Sequence, residues 1–263
     1  GNHNQSAKVR HDFWETVAHL VSENYFGKIQ AWCRQHNTLS GGHLLLEEPI
    51  LTHVPLYGDF FKCLRRLDAP SMDCLTSVPS EVPWQVARLV SSVAELENRR
   101  ETMCEVSDFS QRWRPEGDTR PAYKVSEAEI RGTCNRLILN GITTLTSYYD
   151  FSDRSQEELQ RINTWIGRCS TALKGGHQVT DIAVLYPADS MMAHYVPSRH
   201  WTHDAPPQAH AIEKIYDNIT QSLFSSGWDF ILVDSQAIAE SHTQDGTLRH
   251  GNHAWRVLIL PAT

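Results

Sequence analysis

RRETMCEVSDFSQRW, residues 99–113, is the stretch whose reading decides the fold. Its centre, ETMCEVS, is too short for a helix. It lies between two stretches with helical spacing, PWQVARLVSSVAELEN at 83–98 and SEAEIRGTCNRLILN at 126–140, so it reads as a strand entered from one helix and left for another. That strand delivers a carboxylate, Glu105, to its exit and then breaks into a polar segment ending at Trp113.

The same alternation runs outward in both directions. Residues 12–35 set Phe13, Val17, Leu20, Val21, Tyr25, Ile29 and Trp32 at helical spacing, which predicts a helix with one buried face, stopped by Asn37 and Gly41-Gly42. HLLLEEPI (43–50) reads as a buried strand closed by two glutamates and a proline, DFFKCLRRLD (59–68) as a helix, and APSMDCLTS (69–77) as a second strand. Pro83 opens the next helix near its first turn, Ser126 caps the one after, and GITTLTSYYDF (141–151) is the fourth strand. Short apolar strands alternating with helices predict parallel pairing through right-handed crossovers. Four such units amount to half of an eight-stranded barrel, whose whole length is typically ~250 residues.

After Phe151 the pattern changes. A helix over 155–176 closes on Gly175-Gly176, and VTDIAVLYP (179–187) is a parallel-type strand. A long Pro-, His- and Ser-rich loop is expected over 188–210, then a helix (211–227), a strand (228–235), a hairpin-like excursion and a last strand in AWRVLILPAT. The expected fold class is therefore α/β: residues 1–175 form the C-terminal half of a (β/α)8 TIM-type barrel, and 176–263 a partial doubly wound, flavodoxin-like domain.

Composition limits the function. Hydrophobic content of 40%, charged content of 21% and no run of about 18 apolar residues describe an ordinary globular chain with nothing to span a membrane. A formal charge of -7 without clustered Lys and Arg argues against nucleic acid and fits a neutral, sugar-like partner. The six cysteines lack CxxC spacing and read as core thiols, leaning toward a reduced compartment without excluding export. The first residues, GNHNQSAKVR, hold no signal-peptide core, so localisation is open, and a secreted or periplasmic parent remains compatible. The histidines of 194–210 and 242–253 lack the i, i+4 placement of a zinc helix and are expected to be solvated; no metal site is expected. No phosphate-binding glycine motif follows a strand, so the second domain reads as structural.

In a parallel barrel the reacting groups sit at the carboxyl ends of the strands. Here those exits offer Glu47 and Glu48, Asp73, Glu105, and Tyr148-Tyr149-Asp150. Cleavage of a glycosidic bond needs one carboxyl group to protonate the leaving oxygen and another to act as base or nucleophile. Glu105, Asp73 and Glu48 are the catalytic candidates, and Trp113, Tyr148, Tyr149, Glu47 and His43 the candidates for holding the sugar.

SSVAELENRRETMCEVSDFSQRW followed by EIRGTCNRLILNGITTLTSYYDF resembles the seventh and eighth barrel units of clan A glycoside hydrolases, most closely the family 106 α-L-rhamnosidase group. The layout of barrel and flavodoxin-like domain, with TDIAVLYPADSMMAHYVP and DGTLRHGNHAWRVLILPAT in the second, is also similar to family 42 β-galactosidases. The resemblance implies hydrolysis of a rhamnoside or galactoside, with Glu105 as the seventh-strand base or nucleophile and Asp73 where a glutamate is expected. Glu47 and Glu48 would end the fifth strand. It also implies that the acid/base carboxylate of the fourth strand would precede Gly1, that the fragment alone is inactive, and that calcium is the one ion to consider. A half barrel leaves two sheet edges open, so self-association or pairing with the missing half is expected. The alternative readings are a noncatalytic carbohydrate-binding or scaffolding module on a degenerate barrel, and a small-molecule binder using the doubly wound domain.

Overall fold

The computed structural model describes residues 3–119, 121, 123–152 and 154–262. The chain opens with α1 (His3–Val21), a π-helical turn (Ser22–Gly27) and α2 (Lys28–Gln35). The helix is where its spacing puts it, and Val17 and Val21 of the expected stripe pack on the core, but its other members face away from it. Trp14 and Ala18 are buried, while Phe13, Leu20, Tyr25, Ile29 and Trp32 are exposed. A periodic pattern reveals an apolar face; on a helix apolar on two sides it does not say which side meets the core. Gly58 shows how close the chosen side comes: at φ +72 it lies against α1, and a Cβ there would meet the Ala18 backbone nitrogen at 2.4 Å.

Next come β1 (Gly41–Gly42), α3 (Ile50–Tyr57), α4 (Phe60–Leu64), β2 (Ala69–Cys74), α5 (Trp84–Leu96), β3 (Met103–Val106), α6 (Phe109–Arg112), α7 (Glu127–Leu139), β4 (Thr144–Ser147) and α8 (Gln156–Leu173). The strands form one sheet in the order β1-β2-β3-β4, each neighbouring pair parallel. The strand expected over 43–50 is a correction. Pairing stops at Gly42, Leu45 and Leu46 are exposed, and Ile50 already begins α3. Leu46 has φ +56, a left-handed conformation that no ladder accommodates. Ser126 does cap α7, and reciprocally: its hydroxyl accepts from the Glu129 N–H while the Glu129 carboxylate accepts from the Ser126 N–H at 2.8 Å.

The rest comprises β5 (Ile182–Leu185), α9 (Ala188–His194), α10 (Pro207–Ser225), β6 (Ile231–Val233), α11 (Ser235–Glu240), β7 (His242–Gln244), β8 (Thr247–His250), β9 (His253–Trp255) and β10 (Val257–Ile259). A parallel sheet runs β10-β5-β6, and β7-β8-β9 is an antiparallel meander. The loop expected over 188–210 instead contains α9 and a 3-10 turn at Trp201–Asp204. Met191, Met192 and Tyr195 are buried beneath it, an apolar set that the surrounding His, Pro and Ser hide in the composition. His253, expected to be solvated, is buried on β9 facing Glu95 at 3.7 Å.

The molecule is thus an α/β fold with parallel sheets. Residue 175 falls in the link between α8 and β5, yet one buried core holds side chains from both sides of it, including Trp14, Leu89, Met192 and Phe230. Helix α5 lies against both β2 and β6. Its paired serines serve that position: Ser92 donates to the Arg88 carbonyl (2.6 Å) and accepts from the Leu232 N–H of β6 (2.9 Å), while Ser91 packs on Gly141. Buried Arg65, the C-cap of α4, grips Asp234, the N-cap of α11, through two bonds of 2.7 and 3.0 Å and also meets Glu97. All six cysteines are unpaired, four of them buried. Among the described residues no helix is long and apolar enough to cross a membrane.

Candidate functional site

Strand alternation sets the site. Met72, Cys74, Cys104 and Val106 point one way and are fully buried; Asp73 and Glu105 point the other and are half-buried. The register pairs Asp73 with Glu105 and Glu105 with Thr146, so three polar side chains lie in a row across β2, β3 and β4. Adjacent strands are about 4.8 Å apart, which brings the two carboxyl groups within reach of one small ligand. Burial raises the Asp73 carboxyl above the usual carboxylate range, the His43 charge opposes this, and the Glu105 charge adds to it. Its Oδ1 is buried without a hydrogen-bond partner.

The irregular segment after β1 adds a cation. His43 lies with Nδ1 2.9 Å from the Leu44 carbonyl and 3.6 Å from the Glu47 carboxylate, and with Nε2 3.7 Å from Glu105. Both ring nitrogens face acceptors, which favours the doubly protonated imidazolium. Its pKa is raised to about 9, chiefly by Glu47, against the opposing effect of burial. Glu47 is buried, and its carboxylate accepts from the backbone N–H groups of Leu44 and Asp73, each at 2.9 Å. Burial raises its pKa even against these donors. His43, Glu47, Asp73 and Glu105 thus form one cluster on the open side of the sheet.

Glu48 is exposed, and its charge bears on Asp73 from outside the hydrogen-bonded set. Trp113 and Tyr148 are each 56% exposed beyond the exits of β3 and β4, and Phe109 stacks on Trp113 with ring centroids 6.4 Å apart. Tyr149, expected to hold sugar, is a correction: it is 7% exposed, with its hydroxyl 2.9 Å from Ser77 Oγ in the core. Tyr148 and Tyr149, just past the end of β4, are turned apart, one outward and the other into the core. Sequence reasoning missed His53, which bonds the Glu47 carbonyl, and Tyr186, which bonds His53. No motif marks them. Among the described residues no group of three or more His, Cys, Asp or Glu side chains is arranged to hold a metal ion.

Among solved structures, a rhamnosidase from Novosphingobium sp. PP1Y matches over 95% of this chain with a TM-score of 0.62 and 12% sequence identity. The chain spans 23% of that rhamnosidase's length, and at this identity the likeness is one of fold. No protein-family model and no curated protein matches the chain.

Proposed function

We propose that this chain forms part of the catalytic mouth of a glycoside hydrolase acting on a rhamnoside or galactoside. The observation that carries the reading is the register of Asp73 and Glu105 on neighbouring strands, two carboxyl groups in unlike surroundings on one open face. The two are carboxyl groups of the kind glycosidic cleavage requires, and this reading gives Asp73 the part that the resemblance assigns to a fourth-strand carboxylate. Glu105, beside the His43 cation, acts as base or nucleophile at the anomeric carbon. Asp73, held toward its protonated form by burial, carries the proton on this chain. The exposed rings of Trp113 and Tyr148 stack on the sugar, and Glu48 lies at the rim. The fold likeness to a rhamnosidase supports the same reading.

The four-stranded sheet is half of a barrel wall in this reading, and β10-β5-β6 the start of a flavodoxin-like domain. Strands β1 and β4 are the two ends of the sheet, and Phe13, Leu20, Tyr25, Ile29 and Trp32 are exposed on the leading helices. A second set of four β/α units would pair with those edges and cover those side chains. Two measurements test the proposal. Sedimentation at micromolar concentration is expected to show association of the isolated chain, and a strict monomer contradicts the pairing. A panel of aryl glycosides, given to the polypeptide that carries this chain with the completing units, is expected to show rhamnoside or galactoside hydrolysis; sugar binding without turnover would favour a binding module.

A further inference from the structure

A buried hydrogen-bond chain runs from the second sheet to the candidate site. Tyr186, at the exit of β5, sets its hydroxyl 2.7 Å from His53 Nδ1, and His53 Nε2 lies 2.9 Å from the Glu47 carbonyl oxygen. Both side chains are buried, and the imidazole stacks on Phe60 at 4.1 Å. A carbonyl can only accept, so Nε2 carries the proton; Nδ1 is then bare and accepts from the Tyr186 hydroxyl. The ring is neutral, because burial lowers its pKa to about 4.

What the chain holds is a segment under strain. Leu46 sits at φ +56 without being glycine, and its carbonyl is gripped by Thr52 Oγ1 at 2.7 Å. A non-glycine residue in that region is strained and persists only where its surroundings over-determine it. Helix α3 supplies those surroundings through Thr52 and His53. The Glu47 side chain that emerges from the segment is the nearest carboxylate to His43, whose other charged neighbours are Asp73 and Glu105.

We infer that Tyr186 and His53 are positioning residues: acting through the Glu47 backbone, they fix the carboxylate that holds a proton on His43, and so couple the second sheet to the site. This rests on the geometry of the proposed site and not on its chemistry. It is tested on this chain without sugar, so absence of glycosidase activity leaves it standing. The experiment is an NMR titration of the His43 ring in wild type, Tyr186→Phe, His53→Leu and His53→Gln, with thermal melting alongside. Loosening the Glu47 carboxylate is expected to lower the His43 midpoint by about one pH unit in Tyr186→Phe and further in His53→Leu. His53→Gln, whose amide can still donate to the Glu47 carbonyl, should recover part of the loss. A melting temperature that falls while the His43 midpoint stays at its wild-type value makes the pair mere packing and overturns the inference. Where a variant fails to fold, nitrogen shifts of His53 in the wild type decide: a proton on Nε2 with Nδ1 staying unprotonated down to about pH 4 supports it. A proton on Nδ1, or titration near the ordinary histidine value, overturns it.

Discussion

Asp73 and Glu105 stand in register on the parallel strands β2 and β3, on the face opposite the buried Met72 and Cys104, with His43 Nε2 3.7 Å from Glu105. A neighbouring negative charge disfavours ionisation, so the Glu105 charge adds to the burial that raises the Asp73 carboxyl. The Glu105→Gln change removes one of the charges that raise Asp73. The Asp73 midpoint, followed by carboxyl-carbon NMR, should move down toward the ordinary aspartate value. An unchanged midpoint would show that the two groups do not sense each other.

Asp59 predicts a pH dependence of stability. It is buried at the start of α4, where it accepts from the Lys62 N–H at 3.1 Å, and burial pushes its pKa up to about 7. In the unfolded chain its pKa is near 3.9, so between about pH 4 and pH 7 the folded state keeps a proton that the unfolded state has released. Stability contributed by that proton is present at the acid end and falls as pH rises through this window. Asp59→Asn keeps a cap acceptor and removes the charge. Urea unfolding at pH 8 should find it more stable than wild type by roughly 4 kcal/mol, with the difference vanishing near pH 4.

The Arg65–Asp234 pair ties α4 to α11 inside the core. Removing one member strands a buried charge, so Arg65→Met should cost roughly 3–5 kcal/mol in denaturant unfolding. Asp234→Asn retains a cap acceptor for the Ala237 N–H. The double variant should therefore lose less than the sum of the two single losses, and strict additivity would mean that the residues do not act as a pair.

The two aromatic candidates separate cleanly. Trp113→Ala, at an exposed ring, should change stability by no more than about 0.5 kcal/mol while weakening calorimetric binding of rhamnose or galactose about tenfold. Tyr149→Phe should do the reverse, losing about 1 kcal/mol with the Ser77 bond and leaving sugar affinity intact.

Much of this architecture was legible because its strands are short apolar runs between capped helices: β2, β3, β4, α5 and α7 lie where patterning puts them. Glu105 and Asp73 were legible as strand-exit carboxylates for the same reason. What escaped depends on tertiary context. HLLLEEPI looks like a strand, but its backbone turns left-handed at Leu46, and the bonds that hold it there come from α3 and β2. The helical stripe from Phe13 to Trp32 was visible, and Val17 and Val21 meet the core as expected, while the exposure of Phe13, Leu20, Tyr25, Ile29 and Trp32 was not, since neither apolar side of the helix announces its partner. The His53–Tyr186 contact joins residues 133 apart in sequence, beyond any local pattern.

Hydrolysis of an aryl α-L-rhamnoside or galactoside by the polypeptide carrying this chain with its completing units, wild type against Glu105→Gln and Asp73→Asn, tests the central claim most directly. Wild type should turn over one of the two. Glu105→Gln should lower kcat by roughly 10² to 10⁴ with little change in KM, and Asp73→Asn should lower it and flatten the alkaline limb of the pH–rate profile. Wild-type turnover retained in Glu105→Gln, in a protein that folds and binds the sugar normally, would contradict the account.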